Sequence, residues 1–204
     1  VTRAVAQSLM PRALRRLQDD GSGIRVVMDD CAPDQFVASI LAERVDFGVG
    51  ILDHEHPELA TQTLLREPLM LVAPPHHPLG IGRRPVRWTE LAGHGLVLIK
   101  PGYGIRRRID QAAAQTGVTL EVVHEVSLYS TALAMVREGI GAALLPGSAL
   151  GEEAASLVAR RLTGPALARN VSLVIKRGHS LTPAGRRLLA CLPLDRRARE
   201  EAGL

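Results

Sequence analysis

The feature that most constrains this chain is an alternation. Between residues 95 and 146, short apolar runs and helical patterns take turns: "GLVLI", "IRRRIDQAAAQTG", "TLEVVHEV", "STALAMVREGIG" and "AALLP". A glycine closes each helical pattern, the usual stop for an α-helix. Strands alternating with helices of about ten residues predict parallel sheets covered on both faces, an α/β architecture. In such sheets a ligand sits beyond the carboxyl ends of the strands.

The flanking regions extend the theme. Val5, Leu9, Met10, Leu14 and Leu17 recur at helical spacing, so residues 3–19 read as one helix with Thr2 as candidate N-cap. Pro11 lies inside that pattern and predicts a kink rather than two helices. "IRVVMD" reads as a strand, "PDQFVASILAERV" as a helix, and "DFGVGIL" as a buried strand with close backbone approach at Gly48 and Gly50. "PLMLVAP" and "NVSLVIKR" are further strands, and "TPAGRRLLACL" is a closing helix with Thr182 as N-cap and Pro183 first inside. The strand ends predicted to face a ligand are residues 29–32, 99–102, 126–129 and 145–148. Helices start just after the first three, and their free N–H groups favour an anion.

Composition narrows the function. The 204 residues, 46% of them hydrophobic, suffice for one large domain or two small lobes. No apolar run nears the roughly 20 residues of a membrane span. Aromatic residues make up only 2%, few for stacking bases or sugars. Cys31 and Cys191 stand far apart in sequence, with no disulfide framework or metal-knuckle spacing, which fits a reducing, cytoplasmic setting. Net charge is +4, carried almost wholly by arginine, in the groups Arg12, Arg15 and Arg16, Arg83 and Arg84, Arg106 to Arg108, and Arg196 and Arg197. Scattered in this way they read as solvated helix faces rather than a nucleic-acid surface. The chain enters a helical pattern with no initiator Met and no signal-peptide n-region, and reads as a piece of a longer protein.

The stretch "VAPPHHPLG" sets His76 beside His77 between prolines. No Cys, Asp or Glu accompanies them at ligand spacing, so a stiff turn is the expectation rather than a metal site. "DHEHPE", with His54 and His56, is the better metal candidate, yet it reads as a polar loop. His94, His124 and His179 are isolated. No nucleotide fingerprint, nucleophile elbow or zinc-protease motif occurs, and no enzyme, metal or cofactor is expected.

The order of these elements resembles the effector-binding domain of LysR-type transcriptional regulators. The residues that carry the likeness are "LMPRALRRL", "ERVDFGVG", "EPLMLVAPPHHPL", "VREGIGAALLP" and the late "SLVIKRGHSLTPAGRRLL", in family order over nearly the whole chain. One departure is Glu43, which stands where the family usually has Gly. The resemblance implies a two-lobed fold similar to type-two periplasmic binding proteins, with a cleft between lobes and two crossover strands. Lobe I is expected at 1–74 plus 173–204 with its first strand missing, and lobe II at 75–172. "PPHHPLG" becomes the crossover turn between them.

The resemblance also implies a small-molecule effector in the cleft, sensed by a hinge motion. Contacts are expected from Thr2, Arg3 and Ala4, and from Cys31, Ala32 and Pro33. The second lobe would add Lys100, Pro101 and Gly102, and then Leu128, Tyr129, Ser130 and Thr131. The simpler reading makes Ser130 or Thr131 helix caps and Cys31 a small core residue. Asp29 and Asp30 would repel an anion if they faced the cleft. A homodimer or homotetramer is implied, with operator DNA bound only through an N-terminal winged helix-turn-helix absent from this sequence and no membrane partner. A transporter's solute-binding protein shares the fold and is the alternative.

Overall fold

The computed structural model describes residues 1–194, without the side chains of Pro33 and Asp34. Arg196 and Arg197 lie outside the described residues. The chain forms two compact units. Unit 1 comprises Val1–Arg66 and the described residues from Asn170 onward, and unit 2 is Glu67–Arg169. The chain passes between them twice, within β2 (Leu59–Ala73) and within β8 (Ala168–Lys176).

Unit 2 contains the alternation. β4 (Gly95–Ile99), α4 (Gly104–Gln115), β5 (Glu121–Val126), α5 (Tyr129–Arg137) and β6 (Ala142–Pro146) follow the predicted order. β4 pairs in parallel with both β5 and β6. Side chains alternate across β4. Leu96 and Leu98 pack in one buried cluster with Ile105, Ile109 and Ala112 of α4, while Val97 packs in another with Ala132, Leu133 and Val136 of α5. The two helices therefore cover opposite faces. Gly117 and Gly139 follow these helices with φ of 68° and 76°, the left-handed stops that the sequence signals.

The sheet is mixed, which corrects the all-parallel expectation. β2 runs antiparallel to β6 and to β7 (Val158–Thr163), and only β3 (Val86–Arg87) joins β7 in parallel. A strand that passes from one unit to the other and returns through β8 needs no helix crossover, so the rule tying helices to parallel pairs does not govern it.

In unit 1, β8 lies between β1 (Gly48–Gly50) and β2. β1 pairs antiparallel with β8, Val49 opposite Leu173. Gly48 and Gly50 are required by space. A Cβ at Gly48 would come within 2.6 Å of Phe36 and Ile40, and one at Gly50 within 2.7 Å of Thr2. Those neighbours belong to α3 (Pro33–Leu41) and to the residue before α1 (Arg3–Ser8). α6 (Pro183–Ala190) closes the unit, with Thr182 Oγ1 accepting the Gly185 N–H at 3.0 Å.

Two expectations fail here. The helix over residues 3–19 is not one kinked helix but two segments, α1 and α2 (Met10–Asp19), separated by Leu9. Leu9 keeps helical angles, φ −101° and ψ −41°. Pro11 then falls in the first turn of α2, where its missing N–H has no intrahelical role. The segment 24–29, expected as a strand, has no assigned secondary structure, and Val27 is 82% exposed. An apolar run becomes a strand only when a neighbour completes its ladder; among the described residues segment 24–29 joins none, and the isolated parallel bridge of Thr2 with Cys31 lies just past it. An apolar groove of about 320 Å³ runs along this segment, lined also by Phe47, Val49 and Leu188.

Candidate functional site

In unit 1, Thr2 and Cys31 are brought together. Beyond their bridge, the Cys31 N–H donates to Val1 O at 3.0 Å and the Thr2 N–H to Val49 O at 3.4 Å. Thr2 is 5% exposed, and its hydroxyl Oγ1 has no hydrogen-bond partner among the described residues. Arg3 is exposed and Ala4 half-buried at the start of α1. Ala32 is the N-cap of α3, and it has no side-chain oxygen to bond the first-turn N–H groups. Cys31 packs with Phe36, Ile40, Leu59 and Val174 as a small core residue does. The Asp29 carboxylate accepts the Ser39 hydroxyl at 3.0 Å.

In unit 2 the named residues fall at two helix starts. Lys100, Pro101 and Gly102 are exposed in the loop between β4 and α4, where the Lys100 N–H donates to Val126 O at 2.9 Å. Leu128 is the N-cap of α5, with no side-chain capping bond. Ser130 and Thr131 are exposed in the first turn, so neither holds the N-cap position. Tyr129 is half-buried beside them.

Sequence reasoning passed over the group that anchors this rim. Glu67 and Arg169 are 4% and 7% exposed. Arg169 Nε donates to Glu67 Oε2 at 2.6 Å, Nη1 to the Tyr129 hydroxyl at 3.0 Å, and Nη2 to Ser148 Oγ at 3.4 Å. The guanidinium carbon lies 5.6 Å from the Tyr129 ring centroid. The Ser148 N–H donates to the other oxygen of Glu67. A buried charge is stable only when paired and hydrogen-bonded, and here both conditions are met. The available signal was one acid and one base, each embedded in a strand pattern.

The histidine stretch is structural. His77 N–H donates to Pro74 O at 3.0 Å and Gly80 N–H to His77 O at 2.7 Å, while His77 Nδ1 accepts the Leu79 N–H at 3.1 Å. A Cβ at Gly80 would stand 2.1 Å from Pro74 O, so only glycine closes this turn. Burial, then His94 and His76, hold the His77 pKa below its ordinary 6.5. Among the described residues no three His, Cys, Asp or Glu side chains converge on a metal-sized site, and no helix is long and apolar enough to cross a membrane.

Two α/β units joined by a pair of strands, with loops and helix starts at the strand ends, make a fold of the periplasmic-binding-protein type. The chain belongs to the LysR substrate binding domain family, whose model matches residues 1–193. It is 30% identical over 188 residues to the HTH-type transcriptional regulator YfeR of Shigella flexneri, covering 92% of this chain and 60% of YfeR. It thus spans about three fifths of the length of the curated relatives it matches. In fold it is similar to the effector binding domain of QuiR in complex with shikimate, with a TM-score of 0.79 at 14% identity, covering 99% of this chain and 94% of that one. The BenM effector binding domain with its effector benzoate gives 0.80 at 19% identity, covering 92% and 86%.

Proposed function

We propose that this chain is the ligand-sensing domain of a cytoplasmic LysR-type regulator and takes a small acidic metabolite as its effector. The observation that carries the reading is the Thr2 hydroxyl, buried and without a hydrogen-bond partner among the described residues, near the uncapped start of α3. A buried hydroxyl normally finds a partner, and a ligand oxygen supplies one. A helix start without a side-chain cap leaves N–H donors and a partial positive charge for the same ligand. The exposed loop before α4, with Lys100, and the first turn of α5, with Tyr129, Ser130 and Thr131, offer further donors in unit 2. The carboxylates in the names of two neighbours, shikimate and benzoate, fit this chemistry.

In the whole regulator the domain associates as a homodimer or homotetramer. Ligand binding shifts the equilibrium between conformations of the domain, and so the placement of DNA-binding heads on another part of the protein. Calorimetry with benzoate and shikimate tests the binding step. Thr2→Val keeps the shape and removes the hydroxyl. It is expected to weaken binding by about 1.5–3 kcal/mol, the worth of a hydrogen bond to a charged group. Ser130→Ala and Lys100→Ala are expected to weaken it as well, Lys100→Ala more at low salt. Equal binding by the wild type and all three variants would sink the reading.

A further inference from the structure

We infer that Arg169, fixed in place by Glu67, determines which ligand chemistry the start of α5 accepts. The inference rests on the effector reading above. The pair itself is buried, but the two hydroxyls it touches, Tyr129 and Ser148, are half-exposed. A guanidinium donates and never accepts. Each hydroxyl therefore uses a lone pair on Arg169, at 3.0 Å for Tyr129 and 3.4 Å for Ser148. Its hydrogen is then turned away from the guanidinium and one of its two lone pairs is engaged, which tilts each hydroxyl toward donating rather than accepting. At Tyr129 the guanidinium is the contacting end of the ion pair, which disfavours an ammonium group there. Two hydroxyls that could each serve equally as donor or acceptor are thus tilted toward ligand acceptors, backed by a buried ion pair that water screens little.

Glu67 gives the arrangement its direction. It binds the Nε edge of Arg169 and, through its other oxygen, the Ser148 backbone N–H. The remaining guanidinium edge is thereby presented to the hydroxyls, and the turn after β6 that carries Ser148 is held beside it. Arg169 is a positioning residue and need not touch ligand. The feature selected is a carboxylate or similar acceptor, as against the neutral or basic analogue of the same shape.

The test measures preference. Benzoate and benzyl alcohol form one probe pair, and shikimate and its methyl ester form a second. Calorimetry gives the affinity ratio within each pair for the whole chain. The double variant Glu67→Gln with Arg169→Gln removes both charges without stranding either. It is expected to lower the carboxylate preference by about tenfold or more, with the neutral probe little changed. Tyr129→Phe with Ser148→Ala keeps the ion pair and removes the hydroxyls, and it should lose the same preference. A purely structural pair would weaken both members of a probe pair together. If carboxylates bind the wild type and both variants keep the preference, the effector reading stands and the role of Arg169 is overturned. If neither carboxylate binds the wild type, the effector reading fails and this inference with it.

Discussion

A single histidine makes the chain's stability depend on pH in a calculable direction. Neutral His77 accepts the Leu79 N–H, and its pKa lies below the ordinary 6.5. The unfolded chain then binds the proton more readily than the folded one, so stability is complete above pH 6.5 and falls as pH drops toward the folded-state value. His77→Asn keeps an accepting oxygen at the cap but does not titrate. Urea midpoints between about pH 7.5 and pH 5 should fall less steeply for this variant, by at most about 1.4 kcal/mol per pH unit, the slope of one proton. Parallel curves would show that His77 titrates as it does unfolded. At this scale the sequence was legible where a residue is recognised by spacing. Gly48, Gly50 and the His77 turn stand as read. It was silent where a residue is unusual for its place. Glu43, at the family's glycine position, adopts the left-handed φ of 55° and pairs with Lys176 across the unit. Arg169 and Glu67 looked like two charges among the others until the fold placed them together.

Elements were legible in proportion to how local their causes are. α6 announces itself through Thr182 and Pro183, and its cap bond is present. Thr182→Ala removes that bond and should lower stability by about 1 kcal/mol, whereas Thr182→Ser should preserve it. Equal urea midpoints for the two variants would refute the cap's contribution. The second half of β2 was readable as "PLMLVAP", but its first half was not. There Gln62 and Thr63 are exposed, and Pro68, which donates no ladder bond, stands just past the unit boundary. β7 hid behind consecutive arginines. Arg160 is in fact 7% exposed and donates to the carbonyls of Leu79, Ile81 and Arg84 at 2.7–2.9 Å. The opposite error befell the segment 24–29. Its composition was right for a strand, but pairing is a property of two chains of atoms and not of one. The Pro11 helix shows the same limit, because where a helix divides depends on what it packs against.

For the whole molecule, the two units each carry their own buried clusters, yet β2 and β8 belong to both. Both strands are continuous through the boundary, so the units are expected to unfold together. The scarcity of aromatic residues makes this directly visible. Trp88 is the single tryptophan, and it is fully buried in unit 2 with its indole N–H donating to Pro165 O at 2.8 Å. The two cysteines, Cys31 and Cys191, are in no disulfide among the described residues, and both lie in unit 1. Indole fluorescence therefore watches one half of the molecule and thiol labelling the other, with no engineered reporter. Coincident denaturant midpoints by the two signals are expected, and an offset would show that the halves melt separately. The same two colours allow a ligand to be located by which signal it protects.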